Sequence, residues 1–243
     1  MYEKLFYFIL ILFIFYTLIP FLYSRVLGMG VFKNNRKSNN IAFTFDDGPH
    51  PVYTAEVLDV LRDHHIKAAF FVLGSSAEKY PELILRIHNE GHLIGIHNYV
   101  HHSNWIMAPW KIRKDLDRSA AIIEGITGKK PHYYRPPWGL LNIFDFFILK
   151  DYKIILWSLM AGDWRSRGGS ERVRNVLLTK VKQGDIILLH DSGDTLGADE
   201  EAPQNTISAL KDVLKEVSLR GYTCVRIDEL FYSQHQNNNI KLQ

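Results

Sequence analysis

The sequence has little of what identifies several common classes of protein. Its single cysteine, Cys224, excludes an intramolecular disulfide and leaves the compartment undecided. No Gly-x-Gly-x-x-Gly follows the first predicted strand, which argues against a dinucleotide-binding domain. The formal net charge is only +3, and no basic run is interleaved with aromatic residues. The sequence therefore indicates no nucleic-acid partner, and it carries no signal for a protein partner.

Charge is also missing from a long apolar run near the start of the chain. Residues 5–23 are almost uninterrupted Leu, Ile, Phe and Tyr, long enough to cross a hydrocarbon core of roughly 30 Å. No clear small-x-small cleavage site follows, which makes a cleaved signal peptide a poor fit. We predict that residues 1–25 form a transmembrane helix that anchors the chain. We prefer this interpretation to a signal peptide and to a buried helix of a soluble protein.

The charges that flank this run do not settle its orientation. Lys4 precedes it, whereas Arg25, Lys33, Arg36 and Lys37 follow it, and the positive-inside rule would place the following domain in the cytoplasm. The enzyme class inferred below favours an extracytoplasmic catalytic domain. We adopt that single-pass orientation as an expectation, against the charge bias.

The remaining chain alternates β-prone and helical patterns. Residues 26–40 are predicted as a linker, 41–232 as one domain and 233–243 as a disordered tail. The predicted strands are 41–45, 68–73, 93–96, 132–134, 154–157, 186–189 and 223–227. The predicted helices are 54–64, 81–89, 109–126, 142–150, 170–182 and 203–220. Seven βα-type repeats with several fully apolar strands favour an α/β fold, namely a parallel barrel that is either complete or incomplete.

Two adjacent carboxylates, Asp46 and Asp47, end the first predicted strand just before Gly48-Pro49. Like charges at this distance are unfavourable unless a proton or a cation lies between them. A solvated Asp-Asp turn is the simpler explanation if the pair is considered alone. Polar residues also follow the other predicted strands, and the C-terminal ends of the strands of a barrel share one face. These residues favour a functional site over a solvated turn.

His97 and His101 follow the third strand and lie four residues apart, a spacing at which two imidazoles can bind one cation. Alone the pair is weak evidence, because the chain has 11 histidines. With Asp47 it forms a set of two histidines and one carboxylate, typical of a hydrolytic metal site with open positions for water. Zn²⁺ suits these ligands best, and Co²⁺, Ni²⁺ and Mn²⁺ are alternatives.

Four further features add to the candidate site. Asp46 is then free to act as general base, and Arg135 can pair with it. His190 ends a buried strand, where it can act as general acid or simply be a core histidine. Trp164 is a candidate platform for a sugar ring, with ordinary core packing as its alternative. The rigid Arg135-Pro136-Pro137-Trp138-Gly139 segment can aim a backbone N–H at an oxyanion, or be a stiff surface loop.

Five motifs in this order resemble the polysaccharide deacetylase family, also called NodB-homology or carbohydrate esterase family 4 enzymes. They are Thr44-Phe45-Asp46-Asp47-Gly48, His97-Asn98-Tyr99-Val100-His101, Arg135-Pro136-Pro137-Trp138-Gly139, Asp163-Trp164 and Leu188-Leu189-His190. The resemblance implies a distorted (β/α)7 barrel and metal-dependent hydrolysis of acetyl groups, usually on N-acetylglucosamine units of peptidoglycan, chitin or related glycans.

The resemblance also implies roles for individual residues. Asp46 becomes the base that acts on a metal-activated water, and His190 becomes the acid. Asp47, His97 and His101 become the metal ligands, with Arg135 as a further catalytic residue. Substrate contacts are implied for Pro137, Trp138, Asp163, Trp164 and Leu188, and the Trp138 backbone N–H belongs to the oxyanion site.

Two positions depart from the family pattern. Asn98 stands where Ser or Thr is usual, which keeps a polar side chain. Met160 stands where we expect the carboxylate that tunes the acid, so His190 is predicted to lack its usual partner unless Asp191 or Asp194 replaces it.

Two other functions remain open at this point. One is a deacetylase that acts on a lipid-linked sugar or an O-acetyl ester. The other is a catalytically silent protein that binds glycan or acts as a scaffold, for which Met160 is the only support.

Overall fold

A parallel sheet forms the centre of the molecule in the computed structural model, which describes residues 2–232. The predicted disordered tail, 233–243, lies outside these residues. The strands are β1 (Asn40–Asp46), β2 (Ala69–Val72), β3 (Leu93–Ile96), β4 (Tyr133–Tyr134), β5 (Lys153–Ile154), β6 (Leu159–Met160), β7 (Ile186–His190) and β8 (Thr223–Cys224). Their order is β5-β4-β3-β2-β1-β7-β6, and β8 pairs with the start of β1. This curled sheet covered by helices confirms the distorted barrel.

The central strands are apolar because both of their faces are covered. In β1, Ile41, Phe43 and Phe45 are buried, and Phe45 stacks on Phe70 of β2 with ring centroids 5.1 Å apart. All seven predicted strands are present, although several are shorter than predicted. Only β6 was missed, since a two-residue strand leaves no periodic pattern to detect.

Helices cover the sheet at positions close to those predicted. Pro81 and Pro109 each occupy a first helical turn, where the missing N–H is not needed. Gly128 ends the second of these helices in a left-handed conformation, with φ of 69°. The helices are Tyr2–Val26, Tyr53–Asp63, Gly74–Lys79, Pro81–Asn89, Pro109–Thr127, Asp145–Ile148, Gly169–Lys180 and Ala202–Leu219.

The predicted linker, 26–40, is not a free connection. Phe32 forms a parallel bridge with Ile155, just beyond edge strand β5, through two backbone hydrogen bonds of 2.9 Å. Asn35 donates to the Gly184 carbonyl through its backbone (2.8 Å) and to the Leu230 carbonyl through its side chain (3.0 Å). The segment lacks periodicity because its hydrogen bonds are made with distant parts of the barrel. It therefore belongs to the folded domain.

The apolar run forms one helix, Tyr2–Val26, which is long and apolar enough to cross a membrane. Its first half exposes its side chains, whereas its second half packs on the domain. The Tyr16 hydroxyl donates to the Met107 carbonyl at 2.7 Å, and Tyr23 packs edge-on against Phe146 at 5.3 Å. The helix widens into π-helical turns at Ile14–Leu18 and Leu22–Val26 within this second half.

We predict that Phe32→Ala lowers the free energy of unfolding by about 3 kcal/mol, because Phe32 is buried and packs edge-on against Phe231. Urea denaturation of the full chain in detergent measures this change. The exposed Asn39 is the matched control, and Asn39→Ala should change stability by less than about 0.5 kcal/mol. Equal stability of the two variants would mean that the segment is a linker after all.

Candidate active site

A cavity of about 390 Å³ opens at the C-terminal ends of the strands. Asp46 ends β1 and His190 ends β7, while His97 and Arg135 directly follow β3 and β4. These strands are parallel, so their carboxyl ends meet at one edge of the sheet. Residues up to 144 positions apart in sequence therefore converge on one site.

Three side chains in the cavity form a candidate metal centre. Asp47 Oδ1 lies 3.4 Å from Nε2 of both His97 and His101, and the ligand atoms of the three residues lie within 4.8 Å of one another. His97 Nδ1 donates to the Arg135 carbonyl oxygen at 2.7 Å, which leaves its Nε2 lone pair facing Asp47. Asp47 Oδ1 is buried and accepts no hydrogen bond from the residues that the structure describes.

The ionisation of these groups also suits a cation. Burial alone would raise the pKa of Asp47, but the adjacent imidazole of His97 and the charge of His190 hold that pKa well below its usual range. Burial lowers the pKa of His101 to about 4, so the imidazole is neutral at pH 7 and able to donate a lone pair. An ionised carboxylate with a free oxygen, beside His101 and the Nε2 atom of His97, fits a divalent metal ion.

Backbone conformation explains how Asp46 and Asp47 both reach the cavity. Strand alternation would send two consecutive side chains to opposite faces of the sheet, but Asp47 is left-handed, with φ of 78°, and both carboxylates line one cavity. Asn98 (φ of 65°) and Trp138 (φ of 56°) share this conformation. Non-glycine residues rarely adopt it, and among residues 2–232 only His65 does so away from the cavity.

Asp46 is held by a buried arginine. Its Oδ1 accepts a hydrogen bond from Arg135 Nη1 at 2.6 Å, and the same Nη1 donates to Thr44 Oγ1 at 2.8 Å. The guanidinium has no solvent exposure and lies 4.1 Å from the centre of the Phe71 ring. Arg135 therefore positions Asp46 from below, while Asp46 itself lines the cavity.

The prediction that His190 lacks a carboxylate partner is wrong. Its Nδ1 lies 3.1 Å from Asp163 Oδ1, and its backbone N–H donates to Asp163 Oδ2 at 2.8 Å. Burial alone would lower the pKa of His190, but the charges of Asp163, Asp47 and Asp46 raise it to about 9. Met160 is 44% exposed and lines the cavity, so it does not occupy the position of the tuning carboxylate.

The surroundings of Asp163 and Asp191 differ from those expected from the sequence. Asp163 is buried beneath His190, where it also accepts from Thr206 Oγ1 at 2.9 Å, and it does not line the cavity as a substrate contact would. Asp191 accepts a hydrogen bond from Thr54 Oγ1 at 2.5 Å, and burial raises its pKa to about 7. It packs so closely on Gly48 that a Cβ there would lie 2.3 Å from its Oδ2. The glycine of the first motif therefore makes room for Asp191.

Aromatic and aliphatic side chains form the walls of the cavity. Trp138 packs against His101 with ring centroids 4.2 Å apart, and Trp164 packs against His190 at 5.6 Å. Leu188 also lines the space. Of the predicted substrate contacts, Trp138, Trp164 and Leu188 line the cavity. Pro137, which precedes Trp138, is buried and does not line the cavity.

Asn98 supports the histidine loop from beneath. Its side-chain oxygen accepts from the Tyr134 hydroxyl at 2.8 Å, and its amide donates to the His102 carbonyl and to Asn104 Oδ1, both at 3.0 Å. Asn tolerates the left-handed conformation that position 98 requires. The replacement of the usual Ser or Thr thus keeps a buried hydrogen-bonding role.

Several cavity residues were not anticipated from the sequence. One of them is Thr195, which donates to Asp47 Oδ2 at 2.8 Å from the loop that follows β7. Arg25 and Trp157 line the cavity together. No sequence signal marks these residues, because their neighbours in space are distant in the chain or lie in the apolar N-terminal segment.

Comparison with known proteins gives the same picture as the geometry. The sequence profile of the polysaccharide deacetylase family matches residues 33–144. A peptidoglycan-N-acetylglucosamine deacetylase of Bacillus cereus is 36% identical over 208 residues, which cover 83% of this chain and 92% of the relative. Peptidoglycan-N-acetylmuramic acid deacetylase PdaA of Bacillus subtilis is 32% identical over 208 residues, 82% of this chain and 74% of that protein.

A solved structure supports the same conclusion. The crystal structure of the Bc1960 peptidoglycan N-acetylglucosamine deacetylase, in complex with a naphthalenyl N-hydroxybenzamide, superposes with a TM-score of 0.77 at 29% identity. The match covers 86% of this chain and 95% of that one. Profile, relatives and fold agree with the motifs first noted in the sequence, and the chain belongs to the polysaccharide deacetylase family.

Proposed function

We propose that this chain is a metal-dependent deacetylase that hydrolyses the N-acetyl group of N-acetylglucosamine or a related amino sugar in an envelope glycan of the peptidoglycan type. One observation carries the proposal. An arginine-held carboxylate, a ligand set for a cation and a histidine with a raised pKa all meet in one cavity. The named activities of the relatives, two of which act on peptidoglycan, support the choice of substrate.

The residues divide the proton transfers of amide hydrolysis between them. Asp46, held by Arg135, accepts a proton from the attacking water. The water oxygen bonds to the acetyl carbon and the carbon–nitrogen bond breaks. His190 gives its proton to the departing nitrogen, so that acetate and a free amine result. A histidine with a pKa near 9 is protonated at neutral pH, as a general acid must be.

Asp47, His97 and His101 would hold the metal ion, for which Zn²⁺ is our proposal from the ligand types. Such an ion supplies Lewis acidity to the acetyl carbonyl and makes nearby water more acidic. Trp138 and Trp164 would flank the sugar ring, and the Trp138 backbone N–H would donate to the developing oxyanion. The left-handed turn at Trp138 supports this last role.

We also propose that the N-terminal helix is a membrane anchor and that the catalytic domain lies outside the cytoplasm, where an envelope glycan is found. Two of the positive residues that follow the helix have partners within the domain. Lys33 Nζ donates to the Arg25 carbonyl at 3.0 Å, and Arg36 pairs with the buried Asp185 at 2.6 Å. These partners support a role in folding beside any role in orientation.

The direct test is acetate release by the full chain in detergent, from N-acetylglucosamine oligomers and from peptidoglycan. We expect activity to disappear after chelation and to return with Zn²⁺ or Co²⁺, because the cavity holds one three-residue ligand set. Bound metal without acetate release from any acetylated glycan would contradict the proposed function and favour a silent glycan-binding protein.

We predict that Asp46→Asn and His101→Ala fail in different ways. Asp46→Asn should keep the metal and lose about 10²- to 10⁴-fold in kcat, because it removes only the base. His101→Ala should lose metal, measured by elemental analysis, together with activity. The exposed His102 is the matched control, and His102→Ala should keep both. Metal retained in full by His101→Ala would refute the ligand set.

A third prediction concerns the pH dependence of kcat. A general acid works only when protonated, so kcat should fall as pH rises through about 9. Asp163→Asn removes the nearest charge that raises this pKa, so the basic limb should move to lower pH and kcat at pH 8 should fall by about tenfold or more.

Met160→Asp is the comparison variant, and its basic limb should stay near that of the natural enzyme because Asp163 already pairs with His190. An unmoved limb in Asp163→Asn would show that another group sets the pKa of the acid.

A further inference from the structure

Arg25 lies at the end of the N-terminal helix and lines the same cavity as the catalytic residues. Its side chain is half-buried and stacks on Trp157, with the guanidinium carbon 4.2 Å from the ring centre. Within residues 2–232, no carboxylate lies within 4.0 Å of this guanidinium and no hydrogen bond uses its nitrogens. Arg135, by contrast, is paired with Asp46.

An unpaired, half-buried cation in a cavity favours an anionic ligand, because charge removed from water is stable only when compensated. Arg165 also lines the cavity, but it is exposed and water can solvate it. Arg25 is also fixed in place, since Lys33 holds the carbonyl of the same residue. The planar guanidinium suits two oxygens of a phosphate or carboxylate at once.

The position of the helix relative to a bilayer indicates which anion Arg25 binds. The domain contacts the helix as far back as Tyr16, whose backbone carbonyl accepts from the Ile143 N–H at 3.1 Å. The apolar run begins after Lys4, so residues 5–15 are its part before that contact, and at about 1.5 Å per residue they cover roughly 17 Å. A hydrocarbon core is roughly 30 Å thick. If the helix spans a bilayer, the part of the domain beside Tyr16 must enter the outer layer of lipid.

The surface beside the helix has the composition for this position. Ile106 is 83% exposed, Trp110 77% and Phe147 62%, and all three belong to the segments that flank the helix contacts at Met107 and Phe146. Exposed tryptophan and apolar side chains next to a membrane span are typical of the lipid interface. The cavity entrance with Arg25 then lies at the level of the lipid headgroups.

We propose that Arg25 binds the phosphate of a lipid-linked N-acetylated amino sugar, which is therefore the form of substrate that this enzyme deacetylates at the membrane. The assignment rests on the proposed deacetylase function and moves its substrate from the glycan polymer to a lipid-linked sugar. It adds no chemical step, because the phosphate is bound and not transferred.

The test uses the full chain in lipid nanodiscs with Zn²⁺ and three probes. The first is a long-chain isoprenyl phosphate carrying N-acetylglucosamine, the second a neutral long-chain glycoside of the same sugar, and the third a water-soluble N-acetylglucosamine oligomer. Acetate release gives kcat and KM for each. Arg25→Gln and Arg25→Lys are compared with Arg167→Gln, which removes an exposed charge that does not line the cavity.

We expect Arg25→Gln to raise KM for the phosphate-linked sugar by about 10- to 100-fold with little change in kcat, since it removes hydrogen bonds to a charged group. Arg25→Lys should restore part of the loss. KM for both neutral probes should change by less than about twofold, and Arg167→Gln should resemble the natural enzyme on all three. Loss of activity on every probe alike, or on none, would overturn the assignment.

Two further outcomes separate the possible failures. A fourth probe, a soluble oligomer that carries the carboxylate of muramic acid, distinguishes a polymer from a lipid as the source of the anion. A KM increase confined to this oligomer would place the anion on a polymer and overturn the lipid-linked substrate. If the metal-loaded natural chain releases acetate from no probe, the proposed function fails. Binding of the phosphate-linked sugar to natural and Arg25→Gln nanodiscs then tests Arg25 separately, and equal affinity would refute its role.

Discussion

The need to accommodate two buried carboxylates on consecutive residues shapes the whole active site. Asp46 and Asp47 are each at most 3% exposed, and their mutual repulsion in this setting requires a separate compensating partner for each. The left-handed turn at Asp47 brings both carboxylates to one cavity, where Arg135 binds Asp46 while His97 and His101 lie beside Asp47. A candidate base and a candidate metal ligand thus arise from neighbouring residues because each carboxylate has partners of its own.

The same constraint explains why the other parts of the site are interdependent. Arg135 serves both carboxylates, since its guanidinium pairs with Asp46 while its carbonyl orients His97 toward Asp47. Removing a buried partner of this kind leaves an uncompensated charge, which costs about 3–5 kcal/mol. His190 completes the balance, because Asp46 and Asp47 add to Asp163 in raising its pKa. The acid is therefore tuned partly by the groups with which it works.

The features that could be predicted from the sequence are those with a short-range or repeated residue pattern. The apolar strands, the proline-initiated helices and the polar residues at strand ends each leave a short-range pattern, and the barrel follows from their alternation. The contacts that the sequence did not predict join residues that are far apart in the chain. Phe32 pairs with Ile155, Thr195 reaches back to Asp47, and Asp163 rather than residue 160 turns toward His190. Composition made residues 26–40 resemble a linker, since polar residues that bond to a distant barrel edge have no periodicity of their own.

The N-terminal helix shows most clearly why a boundary drawn from hydropathy can mislead. Its apolar half has the composition of an anchor, yet its last turn contributes to the cavity wall. Trp157 links the two regions, because Arg25 of the helix lies 4.2 Å from its ring centre and Arg135 of the barrel lies 5.7 Å from it. A shift of the helix would therefore move a side chain that also packs against the arginine holding Asp46. The helix and the active site share this contact, so the position of the helix on the domain and the shape of the cavity are set together.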